Sequence, residues 1–349
     1  MKKKIIATLP LLAAAATGSA FAQSSVTLFG NVDAAATVID GKNTWSGLNS
    51  GGNKDSYFGL RGVEDLGGGL KAQFWLESGI NADTGNGDSG NGLDFKRRAT
   101  VGLMSNFGEV NLGRDETAAY KAMQRYDVFG HAGIGGSQAG GLGNNNDKRK
   151  DNLIGYVSPS FGGLTFSANY AFGEQTQSTW KTKAYYDAAV SYAQGPWSAT
   201  FAAEQQNNTD LSGFDTRQRA YALGAGYDFG SVKLVGAYRQ KNNQPEGLSS
   251  YKDKTYSLGA SAPVGAAGLV KASYNRYEYQ TPGAAETFKA DQIALGYEHS
   301  LSKRTALYGT YAFLKNKNGG TMSLVPDGTA TLSDSGKQHG LQVGLRHTF

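Results

Sequence analysis

Hydrophobic and polar residues alternate with a period of two along most of this chain. Around residue 26, for example, Val26, Leu28 and Val32 share one parity, and polar residues fill many of the positions between them. The alternation is clearest at five places: 26–38, 70–77, 164–172, 232–239 and 341–349. Successive side chains of a β-strand point to opposite faces, so each segment predicts a strand with one apolar and one polar face.

The connections between these segments come in two kinds, which alternate along the chain. Seven are tight and lie at 64–69, 106–109, 158–163, 194–196, 228–231, 263–268 and 300–304. Eight are longer and more polar and lie near 40–55, 81–94, 115–150, 174–183, 207–217, 242–254, 281–288 and 315–337. Fifteen connections join sixteen strands, with both chain ends on the tight-turn side. Tight turns at one rim and long loops at the other are typical of outer-membrane β-barrels.

The predicted fold is therefore all-β, a 16-stranded antiparallel transmembrane β-barrel. Unpaired backbone groups are costly in lipid, so a spanning sheet must close on itself. Sixteen strands enclose more space than side chains fill, which leaves an aqueous lumen. A soluble, exported β-sandwich or propeller could show the same period of two. The regular alternation of tight turns and long loops, together with the N-terminal segment described below, favours the barrel.

The third long connection, residues 115–150, interrupts the pattern. It contains seven glycines, no sustained alternation, and only a short helical pattern around 118–126. A loop this long in a compact domain is usually functional or disordered. Inside a closed barrel it has another option, which is to fold back into the lumen. We expect an infolded third outer loop that constricts the channel.

The N-terminus has the features of an export signal. Residues 2–4 are lysines, residues 5–16 are largely apolar, and residues 19–22 have the small-x-small form of a cleavage site. The prediction is a signal peptide at 1–22 and a mature barrel at 23–349. Cleavage removes three lysines, which lowers the net charge from +5 to about +2. This near-balance gives no support for a nucleic-acid partner, because such proteins usually carry a strongly basic surface.

The sequence offers no pattern typical of an enzyme or a metal protein. It has no cysteine, and its four histidines show no metal-ligand spacing. A G-x-S-x-G nucleophile motif is also absent from the sequence. The expectation is a protein with no catalytic residues, no cofactor and no metal.

Eight stretches spread over the mature chain carry a recognisable pattern: 24–34, 57–77, 95–103, 106–115, 151–163, 258–265, 301–309 and 344–349. They resemble the general porins of β-proteobacteria, particularly the anion-selective branch found in Delftia and Comamonas. The resemblance implies a homotrimeric diffusion channel for ions and small hydrophilic solutes in the Gram-negative outer membrane, in contact with lipid and lipopolysaccharide. It also implies that Phe349 is the signal read by the outer-membrane barrel assembly machinery.

Strand parity and the resemblance together predict the charges of the constriction. Parity places Arg61, Lys96 and Arg98 on the lumen face, whereas Arg97 has lipid-side parity and is expected to reach the headgroups. Arg149 closes the infolded loop. The resemblance matches Arg61, Arg98 and Arg149 to the constriction arginines of the anion-selective relatives. A guanidinium stays charged and offers a planar fork to oxyanions, which suits this role.

Further lumen charges follow from parity alone. The cations are Lys71, Lys233, Arg239 and Lys271, and Glu77 and Glu204 oppose them on the same face. Loop acids such as Asp115, Glu116 and Asp127 are candidates to offset the arginines, but the sequence does not say which of them do. Two alternatives stay open: the charges are ordinary solvated lumen side chains, or the barrel is a non-conducting anchor, adhesin or receptor.

Overall fold

A computed structural model describes residues 25–87, 92–137, 148–174, 183–209, 215–247, 249–280, 286–324 and 336–349. The predicted signal peptide at 1–22 lies outside the described residues, and so does the 138–147 part of the third loop. In the described part of the chain, no helix combines the length and apolarity needed to cross a bilayer.

Strands make up most of the described residues. The seventeen strand segments are β1 (Ser25–Asp40), β2 (Thr44–Ser50), β3 (Tyr57–Gly67), β4 (Leu70–Gly79), β5 (Arg98–Ser105), β6 (Gly108–Glu116), β7 (Arg149–Val157), β8 (Leu164–Ala171), β9 (Tyr185–Gln194), β10 (Trp197–Thr209), β11 (Asp215–Asp228), β12 (Lys233–Pro245), β13 (Tyr251–Val264), β14 (Gly268–Tyr279), β15 (Phe288–Ser300), β16 (Thr305–Lys317) and β17 (Lys337–Thr348). Neighbouring strands pair antiparallel, and β17 pairs with β1, which closes the sheet into a barrel.

The seventeen segments form sixteen barrel strands, because β2 and β3 are two halves of one strand. β2 pairs with the second half of β1, and β3 pairs with its first half. The predicted barrel of sixteen antiparallel strands is thus confirmed. The predicted long connection at 40–55 was wrong in part: Thr44–Ser50 is a strand whose Gly, Asn and Ser content resembles a loop. Only residues 41–43 turn, and residues 51–56 leave the ladder.

The two faces of the barrel differ as the alternation predicts. Large apolar side chains such as Leu28, Leu223 and Leu341 are exposed on the outer face. Their neighbours of opposite parity are polar or small and are often buried inside, as with Asn31 and Gln342. An apolar outer wall with a polar interior is the arrangement that a membrane-spanning barrel requires.

The third loop begins with helix α1 (Ala118–Met123) and a 3₁₀ turn (Gln124–Tyr126). Thr117 caps the helix, since its side chain accepts a hydrogen bond from the backbone N–H of Tyr120 at 3.2 Å. The buried face of these turns packs against the barrel wall in a single apolar cluster. Its members are Ala119, Ala122, Met123, Tyr126, Ala189, Ala202, Ala222 and Val235.

Beyond the helix, the loop follows the inner wall across several strands. Val128 lies against Gly259, Phe129 against Gly296, and Ile134 against Gly340. The Gln292 amide donates to the carbonyl oxygens of Ile134 at 2.8 Å and Gly136 at 3.2 Å. These wall residues all have a parity opposite to that of the exposed apolar side chains on their strands. The third loop is therefore folded into the lumen, as expected.

Candidate pore constriction

Residues 51–56, the interruption between β2 and β3, project into the lumen. Asp33 on the inner face of β1 holds this segment, because its Oδ2 accepts the backbone N–H groups of Asn53 at 2.9 Å and Lys54 at 2.8 Å. Gly52 in the same segment is buried and packs close to the inward-facing Gln342. The segment thereby brings Asp55 to the base of the third loop.

Asp55 forms ion pairs with two basic side chains there. Its Oδ2 lies 3.0 Å from Nη1 of Arg97 and 2.9 Å from Nζ of Lys148. Burial by itself raises the pKa of Asp55, but the charges of Lys148 and Arg97 outweigh burial and hold the pKa well below its usual range. Asp55 therefore stays ionised and ties the first inward segment to the end of the third loop.

Asp115, at the end of β6, forms a second set of ion pairs. Its Oδ2 lies 3.3 Å from Nη2 of Arg98 and 2.7 Å from Nζ of Lys121 on α1. The carboxylate is almost fully buried, so the two cations replace its lost water. This contact joins the barrel wall to the loop helix.

Arg149, the first residue of β7, forms a third ion pair at the base of the loop. Its Nη2 lies 2.8 Å from Oε1 of Glu116, the residue directly opposite on β6. Its Nε donates to the backbone carbonyl of Arg97 at 2.8 Å. Arg149 thus closes the loop at its base, as predicted, and connects it to the residue before β5.

Arg61 differs from the other two predicted arginines. Its guanidinium carbon lies 5.5 Å from the ring centroid of Phe29 and 5.3 Å from that of Trp75. Arg98 lies over the same Trp75 ring at 4.4 Å, so one indole supports both arginines. Among the described residues, no carboxylate lies within 4.0 Å of Arg61. Its side chain is exposed to the lumen.

Trp75 and Asp55 are the main members of this group that the sequence did not assign. Parity placed Trp75 on the lumen face, but nothing in the sequence indicated that Arg61 and Arg98 share its ring. Its Nε1 also donates to Oε1 of Glu77 at 2.7 Å, which fixes the orientation of the indole. Asp55 was missed because 40–55 was assigned as one outer loop.

The position predicted for Arg97 was wrong. Its guanidinium does not reach the lipid headgroups but is buried near Asp55, with Nε 3.7 Å from Oε2 of Glu77 and the ring of Tyr57 at 4.9 Å. β5 begins only at Arg98, so strand parity does not extend to residue 97. The same reason removes the argument for Lys96, whose exposed side chain has no ion pair with a described residue.

The other four basic residues that strand parity predicts to face the lumen lie apart from Arg61, Arg98 and Arg149. Lys71 and Lys233 are exposed at the tight-turn ends of β4 and β12. Arg239 and Lys271 lie on the inner face, where parity places them, and each forms an ion pair with an acid there. Arg239 forms an ion pair with Glu204, and Nζ of Lys271 lies 3.2 Å from Glu298.

The acids that offset the arginines can now be named. Asp115 and Glu116 do so, with Asp55 and Glu77 beside them. Asp127 instead binds its own loop, because its carboxylate accepts the backbone N–H groups of Phe129 and Ser137, each at 2.8 Å.

Phe349 lies at the closure of the barrel. Its backbone N–H and carbonyl each hydrogen-bond to Gly30 of β1 at 3.1 Å, and its ring covers that glycine. Its role as an assembly signal stays a prediction.

Comparison with known proteins agrees with this architecture. Outer membrane porin protein 32 of Delftia acidovorans is 44% identical over 362 residues, which span 100% of both chains. An outer membrane porin of Bordetella pertussis is 33% identical over 404 residues, again across 100% of both chains. Among solved structures, an anion-selective porin from Comamonas acidovorans matches with a TM-score of 0.84 and 43% identity, covering 94% of this chain and 100% of that one.

The Gram-negative porin family pattern matches residues 8–319, which is most of the chain. Members of this family are channels rather than enzymes. Together with the closed barrel and its infolded loop, this match shows that the chain belongs to the Gram-negative porin family and is an outer-membrane porin.

Proposed function

We propose that this porin is a homotrimeric, anion-selective channel, and that Arg61, Arg98 and Arg149 set its preference at the constriction. The observation that carries the proposal is Arg61, whose exposed guanidinium has no carboxylate partner among the described residues. Charge at a narrow, low-dielectric passage focuses the potential and raises the local concentration of the counter-ion. Chloride and small hydrophilic anions are therefore expected to pass in preference to cations.

The charge balance of the constriction supports this proposal. The linked group contains six basic side chains, Arg61, Arg97, Arg98, Lys121, Lys148 and Arg149. It contains four acidic ones, Asp55, Glu77, Asp115 and Glu116. The group therefore carries a net positive charge, even though most of its cations are paired.

Two comparisons add support. The Comamonas porin that matches over 94% of this chain is described as anion-selective. For the trimer, an outer membrane protein from Vibrio cholerae with the same fold, at 16% identity and a TM-score of 0.71, is described in a trimer form. Chemical cross-linking of the membrane-embedded protein tests the trimer, and a monomer as the largest species would contradict it.

The charge proposal is tested by the variant Arg61→Gln in a planar bilayer under a KCl gradient. The zero-current potential of Arg61→Gln should shift towards the cation side, because the exposed charge at the neck is lost. Lys233→Gln is the matched control, since it removes one exposed lumen charge at the tight-turn rim. Equal shifts of the zero-current potential in the two variants would contradict the assignment of Arg61 to the constriction.

A further inference from the structure

A cavity of about 230 Å³ lies beside the constriction, between α1 and the inner wall of β7–β9. We call it the side niche. Its lining includes Lys121, Arg125, Thr165, Ser167 and Ser191. We propose that the side niche binds small organic anions that carry hydroxyl groups next to their carboxylate, such as sugar acids. This inference rests on the proposed anion-selective passage.

The floor of the side niche carries three small hydroxyl-bearing residues, with Val157 and Asn169 beside them. Thr165 and Ser191 are direct cross-strand partners of β8 and β9, and Ser167 follows on the same face of β8. Gly163 and Ala193 extend the floor towards the tight turns. Short side chains leave the space open, and hydroxyl groups can both donate and accept hydrogen bonds. A polyhydroxylated molecule offers the same two capacities.

The roof of the side niche is cationic. Lys121 and Arg125 are four residues apart, so they lie on one face of the helical turns, and both are exposed. Lys121 is engaged by Asp115 at 2.7 Å. Arg125 has no ion pair with any residue that the structure describes. Its guanidinium can therefore offer a planar, bidentate contact to a carboxylate.

Among the described residues that line the side niche, the one acid does not oppose this charge strongly. Glu116 reaches the side niche, but its Oε1 is held by Arg149 at 2.8 Å. With Glu116 paired, the free charge of the lining is the positive charge of Arg125.

The size of the cavity limits its occupant. Pockets for drug-sized ligands usually measure about 300–1,000 Å³, so the side niche suits a smaller molecule. Because Glu116 and Lys121 also belong to the constriction, a bound anion would lie directly beside the path of permeating ions. Its binding should therefore be visible as a reduction of the chloride current.

The test measures chloride current through single channels while gluconate is added as the probe. Gluconate should block the wild-type channel at a defined half-blocking concentration. Arg125→Gln should raise that concentration about tenfold, because a charge-assisted hydrogen bond is lost. Thr165→Val keeps the shape of the floor and removes one hydroxyl, so it should also weaken block by gluconate. Acetate, which has no hydroxyl, should be unaffected by Thr165→Val.

Ser191→Leu gives a second, charge-neutral readout, because the larger side chain fills the cavity. It should abolish block by gluconate and leave the zero-current potential in KCl unchanged. Unchanged block in both Ser191→Leu and Thr165→Val would overturn the side niche. Equal sensitivity of acetate and gluconate to Thr165→Val would also overturn it, because a general field effect would then suffice.

The two proposals fail in different ways. An anion-selective channel that gluconate does not block would remove the side niche and leave the proposed function intact. A cation-selective channel would remove both.

Discussion

Arg97 and Arg98 illustrate how sharply neighbouring residues can differ in role. Arg98 opens β5, faces the lumen and lies over Trp75, whereas Arg97 precedes the strand and is buried beside Asp55. Strand parity is reliable only inside a strand, because the alternation of side chains comes from the extended backbone. A parity argument that starts one residue too early therefore assigns the wrong face.

Asp55 is predicted to moderate the positive field of the constriction. In Asp55→Asn, the charges of Arg97 and Lys148 lose their shared counter-charge. The anion preference should therefore increase, and the zero-current potential in a KCl gradient should move further to the chloride side. Asp228→Asn, at a tight turn where the side chain binds the N–H of Gly230, is the control and should leave the potential unchanged. A shift of Asp55→Asn towards potassium would contradict this role.

The residue-level roles were predictable only in part. The structure has Arg61 and Arg98 on the lumen face and Arg149 at the base of the loop, where parity and resemblance predict them, and their role in selectivity stays a prediction. The pairing of Arg98 with Asp115 and of Arg149 with Glu116 was not predictable, because it depends on the register of β5, β6 and β7 and on a local bulge near Gly113. Asp55 required the three-dimensional course of residues 51–56.

The third loop depends on glycines in the wall against which it packs. A Cβ atom at Gly224 would lie 2.2 Å from a ring carbon of Tyr126, and one at Gly296 would lie 2.6 Å from Phe129. The sequence indicated that the loop could fold inward, but not its path. That path is set by contacts between residues far apart in the chain, which periodicity does not report.

Gly224→Val is predicted to displace α1 from the wall. The added side chain would overlap the Tyr126 ring, and overpacking of this kind costs about 1–3 kcal/mol. Hydrogen exchange of the amides at 118–126 should become about tenfold faster or more. Gly309→Val is the matched control, since its Cβ would meet only the backbone carbonyl oxygen of Gln342, at 3.9 Å. This variant should leave the exchange at 118–126 unchanged.

His131 is predicted to make the packing of residues 129–136 in the third loop sensitive to acid. Its ring is buried, and neither nitrogen has a hydrogen-bond partner among the described residues. Burial lowers the pKa of His131, with Lys148 acting in the same direction and Asp127, Glu116 and Asp55 opposing it. The packed loop thus favours the neutral ring. Its stability should be complete above the usual pKa of about 6.5 and should fall as the pH drops below it.

Hydrogen exchange of residues 129–136 measures this effect. Exchange, corrected for the intrinsic effect of pH, should be faster at about pH 5 than at about pH 7.5. In His131→Asn the difference should disappear, since asparagine does not titrate and tolerates the positive φ of 60° at this position. An undiminished pH difference in His131→Asn would assign the effect to another group.

The whole molecule combines a closed barrel with a partly blocked lumen. The barrel was predictable from alternation and from the order of tight turns and long loops, because both are local properties of the sequence. The split second strand was not, since Thr44–Ser50 has the composition of a loop. We expect the channel to narrow where the third loop and residues 51–56 meet Arg61, Arg98 and Arg149, and we expect this region to control both its width and its field.

The most direct test of this account is the zero-current potential of the purified wild-type protein in a planar bilayer under a KCl gradient. The account predicts stepwise conductance and a potential on the chloride side, because the constriction carries a net positive charge. A potential on the potassium side would contradict the role of the arginines. An absence of conductance would contradict the open channel itself.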